Sequence, residues 1–173
     1  WIVLGLGSVI TLARFSEAFL VLRGQQLGLP MAWVPAVILV MSLVYAASAY
    51  PAGLAAQYWS RRTLLASGLA VLIGADLVLA SADGIVLVLA GAALWGLHMG
   101  LTQGLLAALV ADAAPPERTG TAFGVFHLAT GVFLLLASAL AGLVWDRYGA
   151  PATFLTGAGF SAVALAGLLF YRR

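Results

Sequence analysis

Long apolar runs, separated by short polar turns, organise this chain. A helix that crosses the hydrocarbon core of a bilayer needs about 20 mostly apolar residues, and six such runs follow one another. Backbone polar groups inside lipid must be satisfied within the chain, which helices of this length achieve. The pattern therefore predicts an all-α membrane protein with transmembrane helices at approximately 1–22, 31–57, 63–81, 84–112, 119–144 and 151–171.

The composition indicates a surface covered by lipid rather than water. Of the 173 residues, 64% are hydrophobic and 8% are charged, and lysine does not occur. Soluble domains carry roughly 25% charged residues, so this chain has too few charges to hydrate the surface of a soluble domain. Its basic residues are not clustered as a nucleic-acid surface requires, and the absence of cysteine excludes disulfides and thiolate metal sites. We expect no cofactor, no metal and no nucleic-acid partner.

The distribution of arginines predicts the orientation, because cytoplasmic loops carry an excess of positive charge. Five arginines fall on one side of the six predicted helices and two on the other. The cytoplasmic group is Arg61, Arg62, Arg118, Arg172 and Arg173, and the opposite group is Arg23 and Arg147. Both termini are then cytoplasmic. Because the chain begins Trp-Ile-Val-Leu without methionine, we expect a fragment, a processed product or a trimmed chain.

The turn after the second predicted helix carries a recognisable pattern. Gly53, Arg61 and Arg62 match G-x-x-x-D-(R/K)-x-G-(R/K)-R in register, whereas Gln57 replaces its acidic residue. The turn resembles the cytoplasmic loop signature of the major facilitator superfamily, which is strong between helices 2 and 3 and degenerate between helices 8 and 9. The resemblance implies the C-terminal half, helices 7–12. The alternative is that the two arginines only anchor the topology.

A second copy of the pattern ends the fifth predicted helix. Gly142, Asp146, Arg147 and Gly149 fit G-x-x-x-D-R-x-G, about half the chain length after the first copy. The two copies lie at opposite membrane faces in the predicted topology, and inverted three-helix repeats are the organisation of this superfamily. The resemblance implies one six-helix domain, 1–173, whose repeats cover approximately 1–81 and 84–171.

Arg14 and Glu17 lie in the middle of the first predicted helix, three residues apart. A charged residue at the helix centre costs about 2.5–3.5 kcal/mol on insertion scales, so this polar face must contact protein or water. We expect the two side chains to pair. They are candidates for a substrate or coupling-ion cavity, and the alternative is a structural ion pair.

His98 is the most polar residue in the middle of the fourth predicted helix, with Thr102 on its side of the helix and Gln103 nearby. Tyr45 adds a polar edge to the second helix. We predict that these four residues line the same cavity. The alternative for the histidine is a neutral side chain hydrogen-bonded to a neighbouring helix.

Small residues at helical spacing predict close helix packing. Gly96, Gly100 and Gly104 form one stripe on the fourth predicted helix, and Gly120 and Gly124 begin the fifth. We expect packing contacts at all five. Two further polar residues receive less specific expectations: Asp76 a partly interfacial or packing role, and His127 no function.

The resemblance also implies a mechanism. In the superfamily the first and fourth helices of each half line a central cavity, and one half rocks against the other around it. The chain is then expected to form one half of a secondary transporter for a small solute in a bacterial inner membrane. Its partners would be membrane lipids, the substrate, and either an N-terminal six-helix half or a second copy. The sequence has no nucleotide-binding P-loop and no hydrolase motif, and the alternative is a membrane-embedded scaffold or receptor.

Overall fold

The computed structural model describes residues 2–170, and within these residues the fold is all-α, without strands. The helices are α1 (Ile2–Ala13), α2 (Ala18–Gln26), α3 (Val34–Ala55), α4 (Arg61–Ser81), α5 (Ile85–Ala113) and α6 (Thr119–Phe170). Short 3₁₀ turns at Met31–Trp33 and Pro116–Arg118 precede α3 and α6. Four helical segments are long and apolar enough to cross a membrane: Met31–Ala55, Arg61–Ser81, Ile85–Ala113 and Pro116–Phe170. Four of the predicted positions, at Trp1, Tyr171, Arg172 and Arg173, lie outside the described residues.

The first predicted helix, approximately 1–22, is not continuous. α1 ends at Ala13, residues 14–17 are not helical, and α2 continues to Gln26. The prediction of one uninterrupted helix is therefore wrong, although the apolar stretch lies where it was expected.

Two serine hydroxyls from α6 stabilise the break between α1 and α2. The Ser16 N–H donates to Ser138 Oγ at 3.1 Å, and Ser161 Oγ donates to the Ala13 carbonyl at 3.4 Å. A broken helix is tolerated at membrane depth only where its backbone polar groups find partners. These partners lie more than 120 residues away in the chain, which explains why local sequence gave no sign of the break.

α6 is a helical hairpin that reverses at Gly149. This residue has φ 83° and ψ 174°, a backbone conformation that glycine adopts without a steric penalty. Thr153 Oγ1 donates to the Ala141 carbonyl at 3.4 Å, whereas residues twelve apart in a straight helix would be about 18 Å apart. Segments 119–148 and 150–170 are therefore antiparallel neighbours, and the rings of Trp145 and Phe154 are in contact.

Both arginines of the first motif connect helix ends on one side of the bundle. Arg61 Nη2 lies 2.5 Å from Asp112 Oδ2 near the end of α5, and Arg62 donates to the Leu169 carbonyl near the end of α6. Both pairs are solvent-accessible at the ends of helices. The motif arginines thus act as connectors between three helices.

Arg23 has the corresponding role at the opposite side. Its guanidinium is buried and donates to the Leu79 carbonyl at 3.2 Å and to the Ala82 carbonyl at 2.7 Å. The last carbonyls of a helix have no intrahelical partner, and a cation there also interacts favourably with the helix dipole. Arg23 therefore fastens α2 to the C-terminal end of α4.

Close packing of α3 on α5 depends on two glycines. A Cβ atom at Gly96 would collide with the backbone carbonyl of Met41, and one at Gly100 would collide with the side chain of Ser48. The packing predicted for these two positions is confirmed.

The other three glycines do not pack closely. Among the described residues, no neighbouring atom lies within 4 Å of a Cβ placed at Gly104, Gly120 or Gly124. The packing prediction is wrong for them, because spacing alone does not show which turns of a helix meet a partner.

Candidate functional site

A cavity of about 490 Å³ lies between α1, α3, α5 and the 119–148 segment of α6. Five of the six polar residues singled out from the sequence lie in its wall: Arg14, Tyr45, His98, Thr102 and Gln103. Glu17, the sixth, lies beside Arg14 and is not part of the wall. Several other wall residues, including Gly104 and His127, are exposed, so the cavity is open on one side.

Arg14 supplies the only charged side chain in the cavity wall, as far as the described residues show. It directly follows the end of α1, and its side chain is 20% exposed. Arg14 Nη2 lies 4.0 Å from Glu17 Oε1, a distance too long for a hydrogen bond. The guanidinium has five N–H donors, so this single loose pairing leaves most of them able to bind a solute.

His98 occupies the cavity wall and is fully buried. Its Nδ1 lies 2.8 Å from the Gly68 carbonyl. Because a carbonyl only accepts, Nδ1 carries the hydrogen and donates, which leaves Nε2 with an acceptor lone pair. No partner for Nε2 occurs among the described residues. Cavity lining and a hydrogen bond to a neighbouring helix are therefore compatible for this histidine, since Nδ1 binds α4 and the ring still borders the cavity.

The remaining polar wall residues connect helices rather weakly. Tyr45 Oη donates to Gln103 Oε1 at 3.5 Å between α3 and α5, which is long for a hydrogen bond between these atoms. Thr102 Oγ1 donates to the His98 carbonyl at 2.8 Å, so its hydroxyl hydrogen is already used. Tyr45 and Gln103 are thus the more adaptable polar groups in the wall.

One wall of the cavity was missed from the sequence. Phe123, His127 and Thr130 line it from α6, and the rings of Phe123 and His127 stack with their centroids 6.1 Å apart. These residues recur at i, i+4 and i+7, the spacing of one helix face. That spacing was the available signal, and it was masked by the apolar residues on every side of this helix.

Neither copy of the glycine-and-arginine motif reaches the cavity. The first copy lies at the junction of α3 and α4, and the second lies at the reversal of α6. The positions concerned are Gly53, Gln57, Arg61 and Arg62 in the first copy, and Gly142, Asp146, Arg147 and Gly149 in the second. Arg61 and Arg62 connect helix ends, and Gly149 forms the turn; the roles of the other five motif residues stay predictions.

Comparison with known proteins gives two findings. Residues 3–173 match the family described as the Major Facilitator Superfamily. An uncharacterized MFS-type transporter of Methanocaldococcus jannaschii is 28% identical over 174 residues, which cover 95% of this chain and 43% of that protein. The chain thus spans less than half the length of this relative.

Proposed function

The chain belongs to the major facilitator superfamily, and on that premise we propose that it forms one half of a secondary transporter that moves a small solute across the cell membrane by alternating access. The observation that carries the proposal is the open cavity between α1, α3, α5 and α6, whose partly apolar wall brings Arg14, His98 and Gln103 together. Polar and charged groups at membrane depth are costly and mark solute or ion pathways. The convergence of these polar side chains on one cavity favours a transporter over a scaffold, because a scaffold does not need such a cavity.

Six membrane crossings are part of the proposal. α3, α4 and α5 each supply one, and the reversal at Gly149 turns α6 into two. α1 and α2 together cover residues 2–26, enough to cross the roughly 30 Å hydrocarbon core as one broken helix. Six crossings give two inverted three-helix repeats, with both termini in the cytoplasm, as the arginines favour.

A second six-helix half is proposed to close the cavity. The exposed wall residues would otherwise face lipid, where polar groups are unfavourable. The greater length of the related transporter is consistent with a partner half that belongs to the same protein, and a second copy of this chain would be the other solution.

The cavity wall also restricts the solute. Arg14 is its one charged group within the described residues, and it is accompanied by neutral hydrogen-bonding side chains such as Gln103 and by the Phe123 ring. Arginine binds planar carboxylates and phosphates through paired hydrogen bonds. A small solute with an anionic group and some apolar surface therefore fits this wall best.

Cysteine labelling tests the proposal without knowledge of the solute. Because the sequence has no cysteine, a Gln103→Cys variant of the intact transporter carries one reactive thiol in this chain. A membrane-impermeant maleimide is expected to label it in both right-side-out and inside-out vesicles, whereas an Asp83→Cys control in the turn between α4 and α5 should be labelled in only one. Labelling of position 103 from a single side under all conditions would contradict alternating access and favour a static receptor.

The same variants identify solutes. A transported solute is expected to slow the labelling of Gln103→Cys and to leave the Asp83→Cys control unchanged. Organic anions are the first class to screen, because of Arg14.

A further inference from the structure

Asp76 is a buried carboxyl group that the proposed transport cavity does not use. It lies on α4 with 0% of its surface exposed, and neither carboxyl oxygen has a hydrogen-bond partner among the described residues. The side chain is therefore enclosed by protein, while the partly interfacial role expected from the sequence stays a prediction. Plain packing does not explain an aspartate there, since a hydrophobic residue of similar size would avoid its desolvation cost.

The carboxyl group lies against the break in the first helix. A Cβ atom at Gly157 would be 2.9 Å from Asp76 Oδ2 and 2.7 Å from Phe15 Cε1. The glycine on α6 therefore makes room for the carboxyl group, and the Phe15 ring lies beside it. Phe15 is one of the four non-helical residues between α1 and α2, and its buried ring packs among other aromatic rings.

The antiparallel register of α4 and α5 places Trp95 at the level of this carboxyl group. A Cβ at Gly91 would meet Leu79, and a Cβ at Gly68 would meet Thr102. Residue numbers that face each other therefore run in opposite directions along the two helices, so that each facing pair adds up to the same total. By that register, residue 76 faces residues 94 and 95.

A second unpartnered polar group lies at the same level of the helix pair. Trp95 is fully buried, and its Nε1–H has no acceptor among the described residues. Its ring centroid is 5.4 Å from that of Phe15. Phe15 therefore lies beside both residues, and its displacement would open space next to Asp76.

Few titratable groups surround Asp76. α4 has no other between Arg62 and its end, and the 150–170 segment of α6 has none. On the other elements packed nearby, His98 contacts the Gly68 carbonyl, Arg23 contacts the carbonyls that end α4, and Arg14 lies in the cavity wall beside Glu17. Neither carboxyl oxygen of Asp76 has a hydrogen-bond donor, so no cation among the described residues is paired with it.

From this geometry we propose that Asp76 is a proton-binding site, and that Phe15 controls its access to water. A buried carboxylate without donors or a counter-charge is so unfavourable that the group neutralises instead, so Asp76 carries a proton in this conformation. Displacement of Phe15 admits water. The O–H bond then breaks heterolytically, the proton passes to water and the electron pair stays on the hydrated carboxylate. The coupling of this step to solute movement rests on the proposed transport function, but proton binding does not.

Infrared spectroscopy of the intact transporter in lipid bilayers tests the proton. A protonated carboxyl group has a C=O stretching band that a carboxylate lacks. We expect such a band at neutral pH, its loss in Asp76→Asn, and its disappearance in the unmodified protein on alkaline titration. A spectrum at neutral pH that Asp76→Asn does not change, or a band that no alkaline pH removes, would overturn the proposal. Neither result would affect the cysteine-labelling test of the cavity.

Deuterium exchange tests the gate. After transfer to D₂O, the shift of the Asp76 band is expected to be about tenfold faster in Phe15→Ala, which corresponds to a reduction of roughly 1.4 kcal/mol in the free energy of opening. Phe15→Leu serves as the milder variant and should show an intermediate rate. Phe126→Ala is the matched control, because Phe126 is also a buried phenylalanine but its ring packs on His127, and its exchange rate should stay close to that of the unmodified protein. Equal acceleration in the two alanine variants, or none in either, would show that Phe15 is not the gate.

Discussion

The contact between α3 and α5 provides a sharp test of the packing, because the stripe of glycines contains its own control. In Gly96→Ala the new methyl group would collide with the Met41 carbonyl oxygen, the nearest atom, and would lie 3.0 Å from the carbonyl carbon and 3.1 Å from the Tyr45 nitrogen. Atoms in good contact are about 3.5–4.0 Å apart, so the helices must separate by roughly 1 Å. A gap of that size loses up to about half of the dispersion energy of each contact, and overpacking costs about 1–3 kcal/mol. We expect Gly96→Ala to destabilise the fold by that amount.

The control is Gly104→Ala on the same stripe. No atom among the described residues lies within 4 Å of its Cβ position, and alanine is favoured over glycine in helices by about 0.8–1.0 kcal/mol. This substitution should therefore be neutral or stabilising. Unfolding in detergent micelles with increasing dodecyl sulfate, followed by circular dichroism, measures both variants.

A further variant separates backbone collision from side-chain crowding. Because the atoms that approach Gly96 belong to the backbone of α3, truncating the neighbouring side chain in Met41→Ala should not rescue Gly96→Ala. The reasoning would be refuted by rescue in the double variant, or by equal destabilisation in Gly96→Ala and Gly104→Ala.

Three other predictions extend the tests. Glu17→Gln should lower expression because Arg14 loses its counter-charge, and adding Arg14→Gln should restore expression. If transport stays lost in the double variant, the pair binds solute or ion; if transport recovers, the pair is structural. Poorer expression of the double variant than of Glu17→Gln would contradict the pairing. Arg23→Leu should lower the unfolding free energy by about 1–3 kcal/mol, since carbonyls at the end of α4 lose their donors. Arg23→Lys should restore only part of that free energy because lysine lacks the planar guanidinium. Full restoration by lysine in the unfolding assay would contradict the two hydrogen bonds from Arg23 to these carbonyls. Cysteines at Asp83 and Glu117 should be labelled from opposite sides of the membrane, and same-side labelling would contradict the number of crossings.

The helices were predictable because their cause is local. Runs of apolar residues bounded by turns such as Ala82-Asp83-Gly84 locate α3, α4 and α5 within a few residues. The break at residues 14–17 was not predictable, because the hydroxyls of Ser138 and Ser161 that stabilise it come from a distant helix. A break whose backbone groups find such partners can interrupt an apolar run of ordinary helix-forming residues.

The candidate cavity was partly predictable for an energetic reason. Arg14 and His98 are too polar to face lipid at mid-membrane, so they had to face an interior space whatever the detailed packing. His127 was missed because the sequence alone does not distinguish a helix position that borders the cavity from one that faces lipid. Its spacing with Phe123 and Thr130 becomes meaningful only when the cavity is known.

The break in the first helix brings together two polar centres that the sequence placed on different helices. Adjacent residues in the break face different neighbourhoods: Arg14 lies in the cavity wall, and Phe15 lies beside the buried Asp76. Under the proposed function, a solute that draws the Arg14 guanidinium towards it is expected to shift the backbone at Phe15, because the two residues are adjacent in the non-helical break. The same displacement that binds an anionic solute would then change the access of water to the proposed proton site. Under this mechanism the two sites are coupled through the peptide bond between Arg14 and Phe15. In a variant that lacks the Arg14 guanidinium, the rate of proton exchange at Asp76 should therefore no longer depend on the presence of solute.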